Sequence, residues 1–565
     1  MQSVSADALE KKHLFLVSLA FLLLRIVLLQ QYVTTNPFFS HPIADSELYL
    51  QWAESILEGK TYFAQEYHHP PGYAFFLAGL LLLSGSNLYV IAAMQSLLVT
   101  IQAVLLFFCT KRLFGSKAAW TAFLLYSFVG PVLFYSMKIL SETLYTTLVL
   151  ASFFFLLRYY DEPKLRVIFF CGLFLGMAIE VRGNATICFW PSLAIALMAR
   201  KPWRSRVAAA ALLVAGTSLF TVPVLIRNIS VAGAWTPVAS NWGENFYFAN
   251  SPEATGAHPM IKGIRSNILD QIPDVQKEAS RRAGRKLTSL EAQRFWFREG
   301  WNFIWNRPLD WIKLEWVKLR RMLQRQIPSG IYSYPLETKF YHPYLKYFIG
   351  YGLLFPLFFA GLLAMPWNRR TALFLIYLST QAGVLLLYWP EERYMLPVIP
   401  FLIMGAGCII GIKRESLKPS GRLIACSLGL LLCIYVNLNP IPPRGTSAWY
   451  SNASAAHFSK QEFQQAGFMA SEALQLDPGY VEAWTNFGSA LYTLGKIQEA
   501  RNAWLQALRY DPSNVMALRN LAISYEKENR ETSLVWWERT LKAAITQELP
   551  AETIAAIKNR VSELQ

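Results

Sequence analysis

The chain has 565 residues, 54% of them hydrophobic and 15% aromatic, with a formal net charge of +16. That apolar share, with a mean hydropathy of +0.27, excludes an ordinary soluble globular protein and points to a polytopic, all-α membrane protein. The positive excess suits cytoplasmic loops and lipid headgroups, and no basic-aromatic module accompanies it, so nucleic acid is not an expected partner.

Lys11 and Lys12 precede the first apolar run and no small-residue cleavage site follows, so the first helix is read as uncleaved. Runs of spanning length lie near 13–33, 88–110, 117–137, 141–160, 165–181, 185–200, 207–226, 346–366, 371–389, 394–412 and 421–438, about eleven helices. The apolar segment 73–84 is short and follows Pro70-Pro71-Gly72, which predicts a re-entrant or interfacial helix. The six cysteines, Cys109, Cys171, Cys188, Cys408, Cys426 and Cys433, lie in or at the ends of hydrophobic segments and read as small packing residues.

Cationic residues fall on alternate loops: Lys111, Arg112 and Lys117; Arg158, Lys164 and Arg166; Arg200, Lys201, Arg204 and Arg206; Arg369 and Arg370; Lys413, Arg414, Lys418 and Arg422. The positive-inside rule makes these loops, and the N-terminus, cytoplasmic. Asp45, Glu142, Arg182, the loop 227–345 and Arg393 then share the outer side, and an odd number of spans puts the C-terminus there too. In the outer loop Phe297, Trp301, Ile304 and Trp305 share one helical face flanked by Arg294, Arg298 and Arg307. That pattern suits an amphipathic helix on the membrane surface or a core-facing helix of a small outer domain.

After Asn439-Pro440-Ile441-Pro442-Pro443 the composition becomes that of soluble helix. Asp477-Pro478 recurs as Asp511-Pro512, Ala483 as Ala517 and Asn486 as Asn520, each 34 residues on. This is the period of the tetratricopeptide repeat (TPR), and Trp484, Phe487, Gly488, Leu491, Ala500, Trp504, Ala507 and Pro512 fill its pattern. Weaker copies flank it, one with Phe463, Ala466, Ala470 and Ala473, the other with Leu518, Leu521, Ala522 and Tyr525. The expected organisation is a membrane domain over 1–438, a linker over 439–446 and a TPR solenoid over 447–565, whose groove offers a docking site for a protein partner.

A carboxylate at a membrane mouth is costly unless it does chemistry, binds an ion or meets a cation. An outward-facing transferase would need such a carboxylate as base, arginine for a phosphate leaving group and an apolar groove for a lipid tail. The outer side offers four patches: Ile43-Ala44-Asp45-Ser46-Glu47-Leu48-Tyr49, His68-His69-Pro70-Pro71-Gly72-Tyr73, Ser141-Glu142-Thr143-Leu144-Tyr145 and Glu391-Glu392-Arg393-Tyr394. Asp45 also suits an N-cap of the helical run Leu48–Leu57, and Glu142 a favourable charge at a helix start. Glu180 gives Arg182 a local ion-pair partner. Arg25 lies within the first span and must face protein or water.

In this order and on one side, the patches resemble the GT-C membrane glycosyltransferases, which include the protein O-mannosyltransferases and the bacterial transferases that decorate lipid A. The resemblance implies that Asp45 is the catalytic base, with Glu47 and Glu142 as further acidic candidates. Glu47 departs from the adjacent Asp-Glu pair of the O-mannosyltransferases. Arg393, in the Arg-Tyr-x-x-Pro-x-x-Pro pattern of the bacterial relatives, is expected at the donor phosphate, with Arg182 and Arg227 as weaker candidates. Tyr49, His69, Tyr394 and Asn245, the last in Gly243-Glu244-Asn245-Phe246-Tyr247-Phe248-Ala249-Asn250, are expected in the substrate pocket.

The implied activity is hexosyl or pentosyl transfer, with inversion, from a polyprenyl-phosphate sugar to a glycolipid, glycan or protein acceptor. No cofactor is expected: His41, His68 and His69 could bind zinc, but arginine alone can stabilise a phosphate monoester leaving group. The alternatives are a transporter or flippase of lipid-linked sugars, a glycan ligase using a diphosphate-linked donor, and a non-catalytic TPR scaffold.

Overall fold

The computed structural model describes residues 2–199, 201–257, 261, 263–264, 268–413, 420–442, 445–547 and 549–565. Arg200, Arg414 and Lys418 of the cationic loops, and 443–444 of the expected linker, lie outside the described residues. Among the described residues the regular structure is helical, apart from an isolated bridge between Val129 and Ile349. The chain forms two compact units: Met1–Thr35 with Ala44–Pro328 and Tyr334–Pro443, and Asn36–Ile43 with Ser329–Ser333 and Arg444–Gln565.

In the first unit six helices have the length and apolarity of a membrane span: Ala8–Thr35, Leu88–Phe114, Glu142–Asp161, Trp203–Ala232, Arg369–Leu387 and Gly421–Leu438. Gly72–Ser84, Gly183–Met198, Tyr351–Leu362 and Ile399–Gly411 are shorter apolar helices. Several runs expected as whole spans are broken, for local reasons. The run 117–137 divides into Ser116–Ser127 and Gly130–Ser136, because Pro131 lacks an N–H and restarts the helix. The amides freed at the break pair with another segment: Gly130 N donates to Ile349 O at 3.0 Å and Ile349 N to Phe128 O at 2.9 Å. Pro397 and Pro400 likewise confine the regular helix of the last-but-one run to Ile399–Ala406.

The helix Leu165–Val181 packs along Trp203–Ala232 through small residues. A methyl group at Gly176 would sit 2.5 Å from Thr217 O, and one at Gly216 2.5 Å from Phe169 O. Close approach of two backbones through glycine is how apolar helices associate where lipid gives no hydrophobic drive.

Ion pairs gather the cationic helix ends at one end of the unit. Lys111 pairs with Glu10. Asp161 takes Arg112 at 2.8 Å and Arg370 at 2.7 Å. The last apolar helix ends instead among residues of the long loop: Arg325 N donates to Asn437 Oδ1 at 2.7 Å and Gln324 Nε2 to Ile441 O at 3.1 Å.

That loop folds into helices Trp242–Ala249, Ile268–Ala283, Ser289–Asn306, Pro308–Leu323 and Tyr334–Phe340. A Thr288–Glu291 capping box starts the third. Its Trp296 and Phe303 are buried, while Phe297, Trp301 and Trp305 are exposed. The face of Phe297, Trp301 and Trp305 is therefore not the core-facing one; the helix packs inward through Trp296 and Phe303.

The second unit is a stack of helices, Thr446–Ser459, Phe463–Leu476, Val481–Thr493, Ile497–Tyr510, Val515–Tyr525, Arg530–Thr546 and Ala551–Leu564. The repeat glycine Gly488 leaves room for the Trp504 indole, whose Nε1 donates to Thr485 O at 3.1 Å. The weaker copy with Leu518, Leu521, Ala522 and Tyr525 is closed by Trp537 packed with Ala522, Ala544, Ile557 and Val561. Trp449 supplies a buried first helix that the repeat pattern did not reveal, and the ring of Phe38 packs edge-on against it at 6.0 Å.

Candidate active site

A cavity of about 410 Å³ in the first unit is lined by Asp45, Tyr49, His69, Glu142, Arg182, Asn245, Arg393 and Tyr394, together with residues of the long loop and of the helix Arg369–Leu387. Eight of the ten residues expected at a site thus meet in one cavity.

Asp45 opens the helix Asp45–Leu57 but does not cap it, since no side chain caps that terminus. Ala44 before it holds φ +49°, in the left-handed half of the map that costs a non-glycine residue energy. The Asp45 carboxylate turns to Arg393 instead: Nη1 lies 2.5 Å from Oδ2. Arg393 Nε donates to Glu391 Oε1 at 2.7 Å, and Nη2 to the Tyr394 hydroxyl at 3.0 Å. Burial pushes the Asp45 carboxyl up, but the Arg393 charge and hydrogen bond, with Arg182 beyond, outweigh it and hold the group below the usual carboxylate range. Burial also opposes the Arg393 charge, yet Glu391, Asp45 and Glu142 keep that guanidinium well above its ordinary pKa.

Glu142 starts the helix Glu142–Asp161 and stands between two arginines. It pairs with Arg182 and lies 3.8 Å from Arg393 Nε. Arg182 also reaches Ser141 Oγ at 3.4 Å, so Ser141 does not serve as the cap. Both guanidiniums lie over the Tyr394 ring, Arg182 at 4.6 Å and Arg393 at 4.8 Å. Two cations so close are held together by the carboxylates around them and by the aromatic face. The local pair of Arg182 with Glu180 does not form: neither carboxylate oxygen of buried Glu180 has a hydrogen-bond partner.

Gly72 brings the histidine loop to this place. A methyl group there would sit 2.6 Å from Glu180 O, so only glycine lets 70–72 lie on the end of the helix Leu165–Val181. His69 then faces the cavity, with Nδ1 3.3 Å from Asn241 Nδ2. Burial and neighbouring His68 push its imidazole down to about 3 despite Asp45, so it is neutral. His68 Nε2 lies 3.0 Å from Glu244 Oε1, and Glu244 Oε2 accepts from Gln293 Nε2 at 2.8 Å.

Two expected residues stay outside the cavity lining. Glu47 is exposed and accepts from Gln51 Nε2, one turn on, at 3.1 Å. Arg227 donates to Phe63 O and Gln65 O, both at 2.6 Å, and stacks on Tyr67 at 3.9 Å. It pins the loop before His68 and is committed there. Glu391, Glu244, Gln293 and Trp389 were not picked out for roles at the site. Glu391 and Glu244 lie inside the quoted motifs, and their acidity was a usable signal; Gln293, a polar residue on the buried face of an amphipathic helix, left none. Among the described residues no three His, Cys, Asp or Glu side chains group as a metal site. His68 and His69 are turned to Glu244 and Asn241.

The molecule is thus an integral membrane protein with an acid–arginine cavity and a helical repeat unit. Residues 68–226 match the family model described as dolichyl-phosphate-mannose-protein mannosyltransferase, and residues 488–529 match TPR repeat. The first of these stretches holds His69, Glu142 and Arg182; Asp45 and Arg393 fall outside it.

Curated relatives include proteins named for tetratricopeptide repeats. Small glutamine-rich tetratricopeptide repeat-containing protein 2 of Mycosarcoma maydis is 31% identical over 126 residues, 21% of this chain and 35% of that protein. Its Saccharomyces cerevisiae counterpart is 31% identical over 123 residues, 22% and 36%. The chain thus spans about a third of the length of these relatives.

Among solved structures, ArnT from Cupriavidus metallidurans bound to undecaprenyl phosphate aligns with a TM-score of 0.42 and 14% identity, over 93% of this chain and 77% of that one. The oligosaccharyltransferase AglB from Archaeoglobus fulgidus aligns at 0.39 and 12%, over 79% and 59%.

Proposed function

We propose that the protein is a membrane glycosyltransferase that moves a hexosyl or pentosyl group from a polyprenyl-phosphate carrier to an acceptor hydroxyl, with inversion. The observation that carries this reading is the convergence of Asp45, Arg393, Glu142 and Arg182 on one cavity. The family segment at 68–226 supports the transferase class. In the reaction the Asp45 carboxylate takes the proton of the acceptor hydroxyl. The acceptor oxygen bonds to the anomeric carbon as the bond from that carbon to the phosphate oxygen breaks. Polyprenyl phosphate leaves with the bonding pair, its new charge met by Arg393 and Arg182.

Transfer proceeds without a divalent ion. Both carboxylates best placed for one, Asp45 and Glu142, are engaged by arginine. The cavity opens on the outer face, because the helix ends tied together by Lys111, Arg112 and Arg370 carry the positive charges that stay cytoplasmic. The last apolar helix ends beside the long loop, so the repeats are extracytoplasmic and present their groove to a protein partner there.

The test is transfer from radiolabelled polyprenyl-phosphate sugars by purified full-length protein in lipid, with a membrane extract as acceptor. Wild type should transfer, Asp45→Asn should not, and chelator should change nothing. Equal transfer by wild type and Asp45→Asn would remove Asp45 from the mechanism, and no transfer from any donor would remove the reading.

A further inference from the structure

Every nitrogen of the Arg393 guanidinium already has a protein partner. Nε holds Glu391, Nη1 holds Asp45 and Nη2 holds the Tyr394 hydroxyl. A phosphate monoester is gripped best by two parallel N–H bonds from one guanidinium edge. The side edge, Nε with Nη2, is taken by Glu391 and Tyr394. The end edge, Nη1 with Nη2, is taken by Asp45 and Tyr394. A bidentate phosphate must therefore displace a protein partner. Glu391 is fixed, with a side chain 3% exposed and a second contact to Trp389 Nε1 at 3.4 Å. The Asp45 side chain is 26% exposed and sits on the strained turn at Ala44.

We infer that Asp45 and the donor phosphate compete for Arg393, so that binding of the donor takes the guanidinium from Asp45 and releases that carboxylate as the base. This rests on the polyprenyl-phosphate reading of the site and adds an order to it. Before the donor arrives Asp45 is ion-paired and a poor proton acceptor. Once Arg393 carries the phosphate, Asp45 loses its nearest cation and its proton affinity rises. The other groups around it do not replace that cation: Arg182 is held by Glu142, His69 is neutral, and Tyr49 and Glu142 bring no positive charge. The donor binds first and the acceptor hydroxyl is activated second.

The probe is undecaprenyl phosphate, with undecaprenol as control, titrated against full-length protein in detergent. A carboxylate that occupies Arg393 nine-tenths of the time weakens apparent phosphate affinity about tenfold. Asp45→Asn, although inactive, is therefore expected to bind the phosphate about tenfold tighter than wild type, and Asp45→Ser to shift the same way.

Removing any nearby negative charge would also help an anion bind, so the effect is read in a double-mutant cycle with Arg393→Gln. Tightening that vanishes in the Arg393→Gln background supports exchange; tightening that persists there overturns it. Equal or weaker binding by both Asp45 variants overturns it too, while leaving the transferase reading intact. Wild type that binds the phosphate no better than the alcohol overturns both.

Discussion

Asp45 Oδ2 and Arg393 Nη1 are 348 positions apart in sequence and 2.5 Å apart in the fold. The pair ties the start of one helix to the strap between Arg369–Leu387 and Ile399–Ala406. Replacing Arg393 by Ala would leave Asp45 and Glu391 without their cation. Stability should fall by about 3–5 kcal/mol, the usual result of removing one partner of a buried pair. Arg393→Lys keeps the charge but not the three-way fork, so it should fold while losing about 10²–10³ in kcat/KM. Melting curves in detergent and transfer kinetics read the two effects separately. A lysine variant with wild-type kcat/KM would show that the fork has no part in the reaction.

In the proposed reaction Glu142 acts on the donor through Arg182. Its side chain is 2% exposed, so its charge is spent on the two arginines and not on solvent. Glu142→Gln keeps the size and one acceptor oxygen, and the Tyr394 ring still supports Arg182. The expected result is a KM for the donor raised about tenfold, with kcat much less changed, because the residue orients a phosphate ligand and does not touch the reacting carbon. A larger fall in kcat than rise in KM would make Glu142 a participant in the chemistry.

Gly72→Ala tests whether backbone contact places His69. The added methyl meets the Glu180 carbonyl at 2.6 Å, and backbone on both sides leaves little room to yield. The expected cost is about 1–3 kcal/mol, as for overpacking, with lower transfer. Gly79→Ala, in the same helix with nothing near its added methyl, is the control and should be slightly stabilising, since alanine is the better helix former. If both variants behave alike, the close approach at Gly72 does not matter.

Much of the site was legible because its residues are expensive. Asp45, Glu142 and Arg393 are charges at the ends of apolar helices, and such charges stand out against the sequence around them. Arg227 looked the same and was misplaced for that reason: charge and position cannot tell a ligand-facing arginine from one that satisfies the carbonyls of Phe63 and Gln65. Glu47 carried a second carboxylate beside the first, but the helix that starts at Asp45 turns it to solvent. The helical breaks at Gly130-Pro131 and around Pro397 and Pro400 were signalled by proline and overridden by hydropathy alone. The buried polar contacts, Glu391 on Trp389 and Gln293 on Glu244, leave no periodic trace, because they depend on which segments the fold brings together. Among the repeats, the helix of Trp449 was missed because Trp449 stands 35 residues before Trp484, one off the 34-residue period.

Glu392, beside the arginine, gives a prediction in pH. Its Oε2 accepts from Tyr334 N at 2.7 Å and from the Tyr135 hydroxyl at 3.0 Å. Burial pushes its carboxyl up to about 8, with Glu391 and Glu337 adding to the effect. A carboxyl whose folded pKa lies above its unfolded value binds its proton more tightly in the folded state. Its contribution is therefore complete below the unfolded value of about 4.3 and is lost as pH rises through about 8. Glu392→Gln mimics the protonated form, keeping an acceptor oxygen for both donors and removing the titration. The variant should melt with wild type at pH 5 and clearly above it at pH 9, a gap that opens between those values. A gap of the same size at both pH values, or a less stable variant at pH 9, would mean that Glu392 is ionised in the folded protein and that Tyr135 and Tyr334 hold a carboxylate.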